Sequence, residues 1–280
     1  MKERIIETKT LYAFRMHLEE NERSPATVQK YLRDVGRVRD FAGDLPLDKQ
    51  LLVKYKEWLQ QQYTAGSVNS MIGAINTFLR FMHWDDLCLK QLRVQRPVYC
   101  PDEKELTKEE YTALVRAAED YGKQRLALVL QTICATGIRV SELQHITVET
   151  AQKGEAEVLC KGKIRKIFIV RALQEKLLRY AEQQNISHGS IFVTRSGTAL
   201  DRSNIWREMK RLCQQVGIPH SKVFPHNLRH LFARSFYNEE KDLAKLADVL
   251  GHSNINTTRI YIISSGSEHQ QKMENLWLIV

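Results

Sequence analysis

Two arginine-bearing stretches and one histidine-to-tyrosine stretch carry the side chains most suited to chemistry. Arg139 lies in Thr136-Gly137-Ile138-Arg139-Val140-Ser141-Glu142-Leu143, and Arg229 in His226-Asn227-Leu228-Arg229-His230. His252 follows Gly251, and Tyr261 comes nine residues after His252, behind Thr257-Thr258-Arg259-Ile260. Arg139, Arg229, His226, His252 and Tyr261 together supply two guanidiniums, two imidazoles and a phenol, enough to hold a phosphodiester and attack it without a metal. Such a diester is already negative, and attack adds charge to its non-bridging oxygens. A guanidinium stays protonated and offers two parallel charge-assisted hydrogen bonds. Removing one such donor commonly costs roughly 10²–10³ in rate.

Each residue also has a plainer reading. Arg139 follows a Thr-Gly helix end and could simply cap it. In the second stretch, positions three apart share a helix face, so His226 and Arg229 can point into one cleft. His226 and His230 are four apart, as in a zinc-binding HEXXH helix, but Asn227 stands where that motif needs glutamate. His230 reads as a packing or hydrogen-bonding residue. Glu142, three after Arg139, is either a solvated helix glutamate or a support for the arginine. Ten tyrosines are present, most of them core or rim candidates. Tyrosine suits cleavage with rejoining, because a phosphotyrosine conserves the bond energy and the freed hydroxyl can attack it without ATP. Tyr261 stands out by what precedes it, and Tyr237 is the alternative. No GxxxxGK[ST] phosphate loop is present.

Helices must position these groups. Ile6, Leu11, Phe14 and Leu18 fall near helical spacing, and Ser24-Pro25 opens a second helix with Val28, Tyr31, Leu32, Val35, Val38 and Phe41 on one face. Leu51, Leu52, Tyr55, Trp58 and Leu59 form a third stripe. Val68 to Met82 form a fourth, with a break expected at Gly66 and a cap at Ser67. These stripes predict a small bundle over residues 1–85. Residues 86–105 lose the period, carry Pro97 and Pro101 among basic residues, and read as an interdomain linker. Thr107-Lys108-Glu109-Glu110 is a capping box opening the second domain, residues 106–280. Val158-Leu159-Cys160 and residues 164–170 flank Lys161-Gly162-Lys163 as a hairpin, and Ile191-Phe192-Val193 reads as another short extended piece. Asp201-Arg202-Ser203-Asn204 leads into a helix with Ile205, Met209, Leu212 and Val216.

The bulk composition fits. The chain has 280 residues, 43% hydrophobic, with formal net charge +9, enough for real cores and suggestive of a polyanionic partner. Five cysteines (Cys88, Cys100, Cys134, Cys160, Cys213) are scattered with no CxxC pair, which disfavours a disulfide framework or zinc site and fits a reducing cytosol. No signal peptide and no apolar run of ~20 residues is visible. The apolar run Leu276-Trp277-Leu278-Ile279-Val280 follows a polar tether at residues 264–267.

The ordered set resembles the tyrosine recombinase family of phage-type integrases. The Arg139 stretch resembles its first arginine box and the His226–His230 stretch its second. Leu250-Gly251-His252-Ser253 through Tyr261 resembles the histidine-to-tyrosine segment. Cys160-Lys161-Gly162-Lys163 resembles the hairpin tip that holds the family lysine, with Cys160 where glycine is usual, so Lys161, Lys163 and Lys166 all stay open. Ser24-Pro25-Ala26-Thr27-Val28 through Phe41 resembles the core-binding domain. The resemblance implies a mainly α fold: an N-terminal helical bundle (a SAM-like core-binding domain) and a mostly α catalytic domain with a small β-sheet. It implies that Tyr261 attacks the phosphate and joins the DNA 3′ end, that Arg139 and Arg229 clamp the oxygens, and that Lys161 is the general acid. His226 would assist the tyrosine or bind phosphate, and His252 would donate to phosphate. It further implies no metal or nucleotide cofactor, double-stranded DNA sites as partner, and a homotetramer acting through a four-way junction with exchange of the 264–280 tail. Because the bundle starts near Met1, no arm-binding domain is expected, as in Xer-like, mobile-element or inversion enzymes. A type IB topoisomerase, a non-catalytic DNA-binding regulator on the same scaffold and a metal-dependent nuclease are the rival readings. The target sequence, host and accessory factors are not legible.

Overall fold

The computed structural model describes residues 4–94, 105–160, 163–194, 196–262 and 273–275. The chain divides into two compact units, Met1–Arg96 and Pro97–Val280.

The first unit holds α1 (Thr8–Glu20), α2 (Pro25–Ala42), α3 (Lys49–Gln62) and α4 (Ala65–Phe81). The Ser24 hydroxyl accepts from the Thr27 N–H at 3.3 Å and Pro25 opens α2, so the start signal read from the sequence acts as one. The Asp48 carboxylate caps α3 through the Leu51 N–H at 2.7 Å. The break expected at Gly66 and the cap expected at Ser67 are corrected. Both residues lie inside α4, which begins after an extended Thr64, and the Ser67 and Thr64 hydroxyls are 3.1 Å apart. A glycine so near the start interrupts little, since first-turn N–H groups have no helical acceptor. The stripes converge on one core containing Phe14, Leu18, Val35, Leu52, Ile72 and Phe78. Phe41 and Trp58 are the exceptions, 39% and 40% exposed, and Phe41 meets the Tyr55 and Trp58 rings at centroid distances of 5.0 and 5.9 Å.

The start of the stretch read as a linker is fastened to this bundle. Asn76 Nδ2 donates to the Leu89 carbonyl and the Leu89 N–H donates back to Asn76 Oδ1, both at 2.8 Å. Asn69 repeats the pattern with Leu92 at 2.9 and 2.7 Å. Leu87 and Leu89 are buried in the bundle core. These ties have no periodicity, because they run from amide side chains to extended backbone. Residues 95–104, with Pro97 and Pro101, lie outside the described residues.

The second unit begins at α5 (Lys108–Asp120), with the expected capping box: the Glu110 N–H donates to Thr107 Oγ1 at 3.1 Å and the Thr107 N–H to Glu110 Oε2 at 2.9 Å. α6 (Gln124–Thr136) is apolar nearly all round and packs against α5, α8 (Arg171–Gln183), α9 (Arg202–Val216) and α10 (Pro225–Glu240). Between α6 and α8 come a 3-10 turn at Val140–His145, the short α7 (Val148–Lys153) and an antiparallel pair, β1 (Glu155–Cys160) and β2 (Lys163–Phe168). Alternation buries Val158 and Arg165 on one face and leaves Leu159 and Ile164 exposed on the other. Ile191 and Phe192 are buried, but the region makes only isolated bridges, Thr147 to Ser190 and Val193 to Ala199, and no strand. Asp201 caps α9 through the Ser203 N–H at 2.9 Å. After α10 come α11 (Leu243–Leu250), α12 (Ile255–Arg259) and a last 3-10 turn, Ile260–Ile262, that packs on α10. Among the described residues no helix is long and apolar enough to cross a membrane.

Candidate active site

Helix α6 stops at Gly137, whose φ of +63° is left-handed. A Cβ there would lie 2.5 Å from the Phe232 ring, so the position needs glycine twice over. The chain leaves the turn extended at Arg139, whose side chain remains 31% exposed. The two readings of Glu142 separate here, because it is 6% exposed and so not a solvated glutamate. Its Oε1 accepts from Arg139 Nη1 at 2.8 Å and its Oε2 from the Arg139 N–H at 2.9 Å. The same carboxylate pairs with Arg165 Nη2. Burial opposes its charge, but the Arg139 backbone and both guanidiniums hold it below the usual glutamate range.

Arg229 is 1% exposed, deep on α10. Nη1 donates to the Gly137 carbonyl, and Nη2 to the Leu250 carbonyl at 2.7 Å and to His252 Nε2 at 3.1 Å. Burial, then the charge of Arg139, lowers Arg229 to about 10, which leaves it protonated at neutral pH. Since a guanidinium only donates, His252 Nε2 must carry a lone pair and its proton sits on Nδ1, which donates to Thr258 Oγ1 at 2.9 Å. Burial, followed by Arg229, Arg139 and Arg165, pushes His252 down to about 4.

Tyr261 is 5% exposed, and its hydroxyl lies 3.1 Å from His226 Nε2. His226 keeps one side open to solvent. Partial burial, then the charges of Arg229, Arg139 and Arg202, lower it below the usual histidine range and favour the neutral imidazole, which can accept the phenolic proton at Nε2. The His230 ring stacks on Tyr261 at 4.1 Å between centroids, the packing role expected of it, and burial drops its own value to about 4. The Arg229 guanidinium carbon is 6.0 Å from the Tyr261 ring centroid, and the His252 ring is 5.3 Å from it. Tyr237 shares the apolar cluster around Tyr261, with the Lys241 ammonium 5.7 Å from its ring centre.

Thus the structure brings Arg139, His226, Arg229, His252 and Tyr261 into one cluster. Lys161 lies outside the described residues, and Lys163 closes the β ladder opposite Cys160. Lys166 is paired with Glu155 at 3.5 Å on the strand face opposite Arg165. Two participants escaped the sequence reading. Thr258 fixes the His252 tautomer, and Arg165 joins Glu142 to the Val249 carbonyl at 2.8 Å. Among the described residues no three metal-ligating side chains are grouped to hold an ion.

Residues 104–268 match the phage integrase family, and residues 11–86 match its N-terminal SAM-like domain. The chain belongs to the phage integrase family. It is 29% identical over 258 residues to tyrosine recombinase XerA of Thermococcus kodakarensis, spanning 89% of this chain and 88% of that one. It is 30% identical over 270 residues to tyrosine recombinase XerD of Halalkalibacterium halodurans, spanning 88% of this chain and 90% of that one. A lambda integrase tetramer bound to a Holliday junction shares the fold, with a TM-score of 0.72 and 18% identity over 90% of this chain and 76% of that one. This integrase-family chain is therefore an enzyme of site-specific DNA recombination, a Xer-like tyrosine recombinase.

Proposed function

We propose that the chain cuts and rejoins double-stranded DNA sites through a 3′-phosphotyrosine intermediate and a Holliday junction, without a metal ion. The observation that carries this reading is the 3.1 Å contact of the Tyr261 hydroxyl with His226, beside Arg229 and His252. Tyr261 Oη forms a bond to phosphorus while the bond to the 5′ oxygen breaks. The phenolic proton passes to His226, and Lys161, with Lys163 as its alternative, protonates the leaving oxygen. Arg139 and Arg229 neutralise the non-bridging oxygens, which is the work a metal would otherwise do. A phosphate seated between Arg229 and His252 takes over the Nη2 hydrogen and raises the imidazole, so that Nε2 gains a proton and donates to it. In the reverse step the freed 5′ hydroxyl attacks the phosphotyrosine.

Lambda integrase forms a tetramer on a Holliday junction. We extend that assembly to this chain, with the 264–280 segment exchanged between protomers, residues 1–85 as the core-binding domain and 106–280 as the catalytic domain. A cytoplasmic location accompanies this reading. The test is a suicide substrate carrying the enzyme's own site, incubated in excess EDTA. A covalent adduct mapped by peptide sequencing to Tyr261 supports the reading. A strict Mg²⁺ requirement, or an adduct on Tyr237, overturns it. Joining of two different duplexes separates a recombinase from a type IB topoisomerase, which would only relax supercoils.

A further inference from the structure

Arg165 is the least expected group near this cluster. It is 8% exposed, and its stem runs across the backbone at Gly251, where a Cβ would lie 2.5 Å from Arg165 Cδ. From β2 its guanidinium reaches two other elements. One nitrogen bonds the Val249 carbonyl at 2.8 Å, at the end of α11 and three residues before His252. The other pairs with the Glu142 carboxylate that also holds Arg139. One buried side chain thus spans the strand, the first arginine box and the histidine turn. Its strand position is opposite Val158, two rungs from the end of the ladder at Cys160 and Lys163, where the hairpin turns. The buried face of the hairpin otherwise offers Ala156, Val158 and Ile167, apolar contacts that resist separation but do little to fix sliding. A guanidinium bonded at both ends resists both.

We propose that Arg165 is a positioning residue that fixes the β1–β2 hairpin against Glu142 and the end of α11, and so sets where the hairpin-tip lysine stands when the 5′ oxygen leaves. This rests on the assignment of a hairpin lysine as general acid. Arg165 acts through that lysine and touches no reacting atom. Glu142 differs in kind, because it orients Arg139 directly, so its loss weakens oxyanion stabilisation as well.

The experiment compares single-turnover adduct formation on two suicide substrates, one with a normal phosphodiester and one with a 5′-bridging phosphorothiolate, whose sulfur leaves with little need of a proton. Arg165→Met and Arg165→Lys are measured beside Lys161→Ala, Lys163→Ala and Glu142→Gln, with melting temperature and DNA affinity as controls. Arg165→Met is expected to slow the oxygen substrate by ~10-fold or more relative to the sulfur substrate, within the range a general acid contributes. Arg165→Lys, which keeps one charge-assisted bond, should recover part of that difference and serves if the methionine variant does not fold. Glu142→Gln should slow both substrates. Equal slowing of both substrates by the Arg165 variants overturns the proposal. If neither lysine variant shows sulfur selectivity, the general-acid assignment falls and takes the proposal with it. If one lysine variant is selective and the Arg165 variants are not, only the proposal fails.

Discussion

Replacing Tyr261 with Phe removes one oxygen and leaves a ring that can still stack on His230 at the same place. Tyr261→Phe should therefore abolish covalent DNA capture, a loss exceeding 10³-fold on the scale of nucleophile deletion, roughly. DNA affinity should change little, since the hydrogen bond lost is within the protein, to His226. Gel-shift titration beside adduct assays checks both. His230 has a separate signature. It titrates at about 4 here against 6.5 for an unperturbed histidine. Between those values the unfolded chain holds the extra proton, so stability is complete above 6.5 and falls as pH drops toward 4. His230→Phe should flatten the slope of unfolding free energy in that window by at most about 1.4 kcal/mol per pH unit. Urea melts from pH 7.5 to 4.5 read the slope, and an unchanged slope would mean that His230 is solvated. The residues that cluster around Tyr261 were legible because their spacing is local: Arg139 with its Thr-Gly turn, His226 with Arg229 on one helix face. Arg165 was not legible, because its partners lie 23 and 84 residues away and its own neighbours mark it only as a strand position.

At the scale of elements, the capped helix starts at Ser24, Thr107 and Asp201 could be read directly, since each cap is satisfied within three residues. The extended segment after α4 could not, since its ties come from Asn69 and Asn76. Those amides act as a short stretch of β partner, each satisfying one N–H and one carbonyl of the segment. Asn76 is 8% exposed, so Asn76→Ala strands two buried backbone groups at Leu89. That should cost about 2–4 kcal/mol on the scale of one to two unsatisfied buried groups. Equilibrium denaturation of Asn76→Ala and of the more exposed Asn69→Ala checks it. A loss at Asn76 no larger than at Asn69 would show that water replaces the amide there. Gly137 makes the complementary point. Only a residue without Cβ fits against Phe232 at a φ of +63°, so the turn that launches Arg139 is fixed by steric fit.

For the whole molecule, the +9 net charge favours a polyanionic partner, which under the proposed function is the DNA phosphate backbone. Binding to a site should weaken steeply with salt, with log K falling about 0.9 per log unit of salt for each phosphate neutralised. Fluorescence anisotropy from 50 to 300 mM salt measures that slope, and a flat response would contradict DNA recognition through phosphates. Assembly is a separate question, and the proposed tail exchange rests on residues 276–280. Leu276-Trp277-Leu278-Ile279-Val280 is costly to leave in water, at roughly 25 cal/mol per Å² of apolar surface. Ser264-Ser265-Gly266-Ser267 precede it, one residue beyond the 3-10 turn that carries Tyr261. A tail docked on a neighbouring protomer would therefore pull on the segment holding the nucleophile, linking assembly to tyrosine placement. An isologous or cyclic set of such exchanges closes without leaving an unpaired tail. Deleting residues 272–280 should then reduce tetramer formation and recombination at least tenfold, the consequence of losing about 1.4 kcal/mol or more per contact, while binding to a single site changes little. Light scattering on synaptic complexes and a two-site recombination assay read the two quantities. Normal recombination by the truncated protein, or a tail packed on its own domain within the synaptic complex, would overturn the exchange.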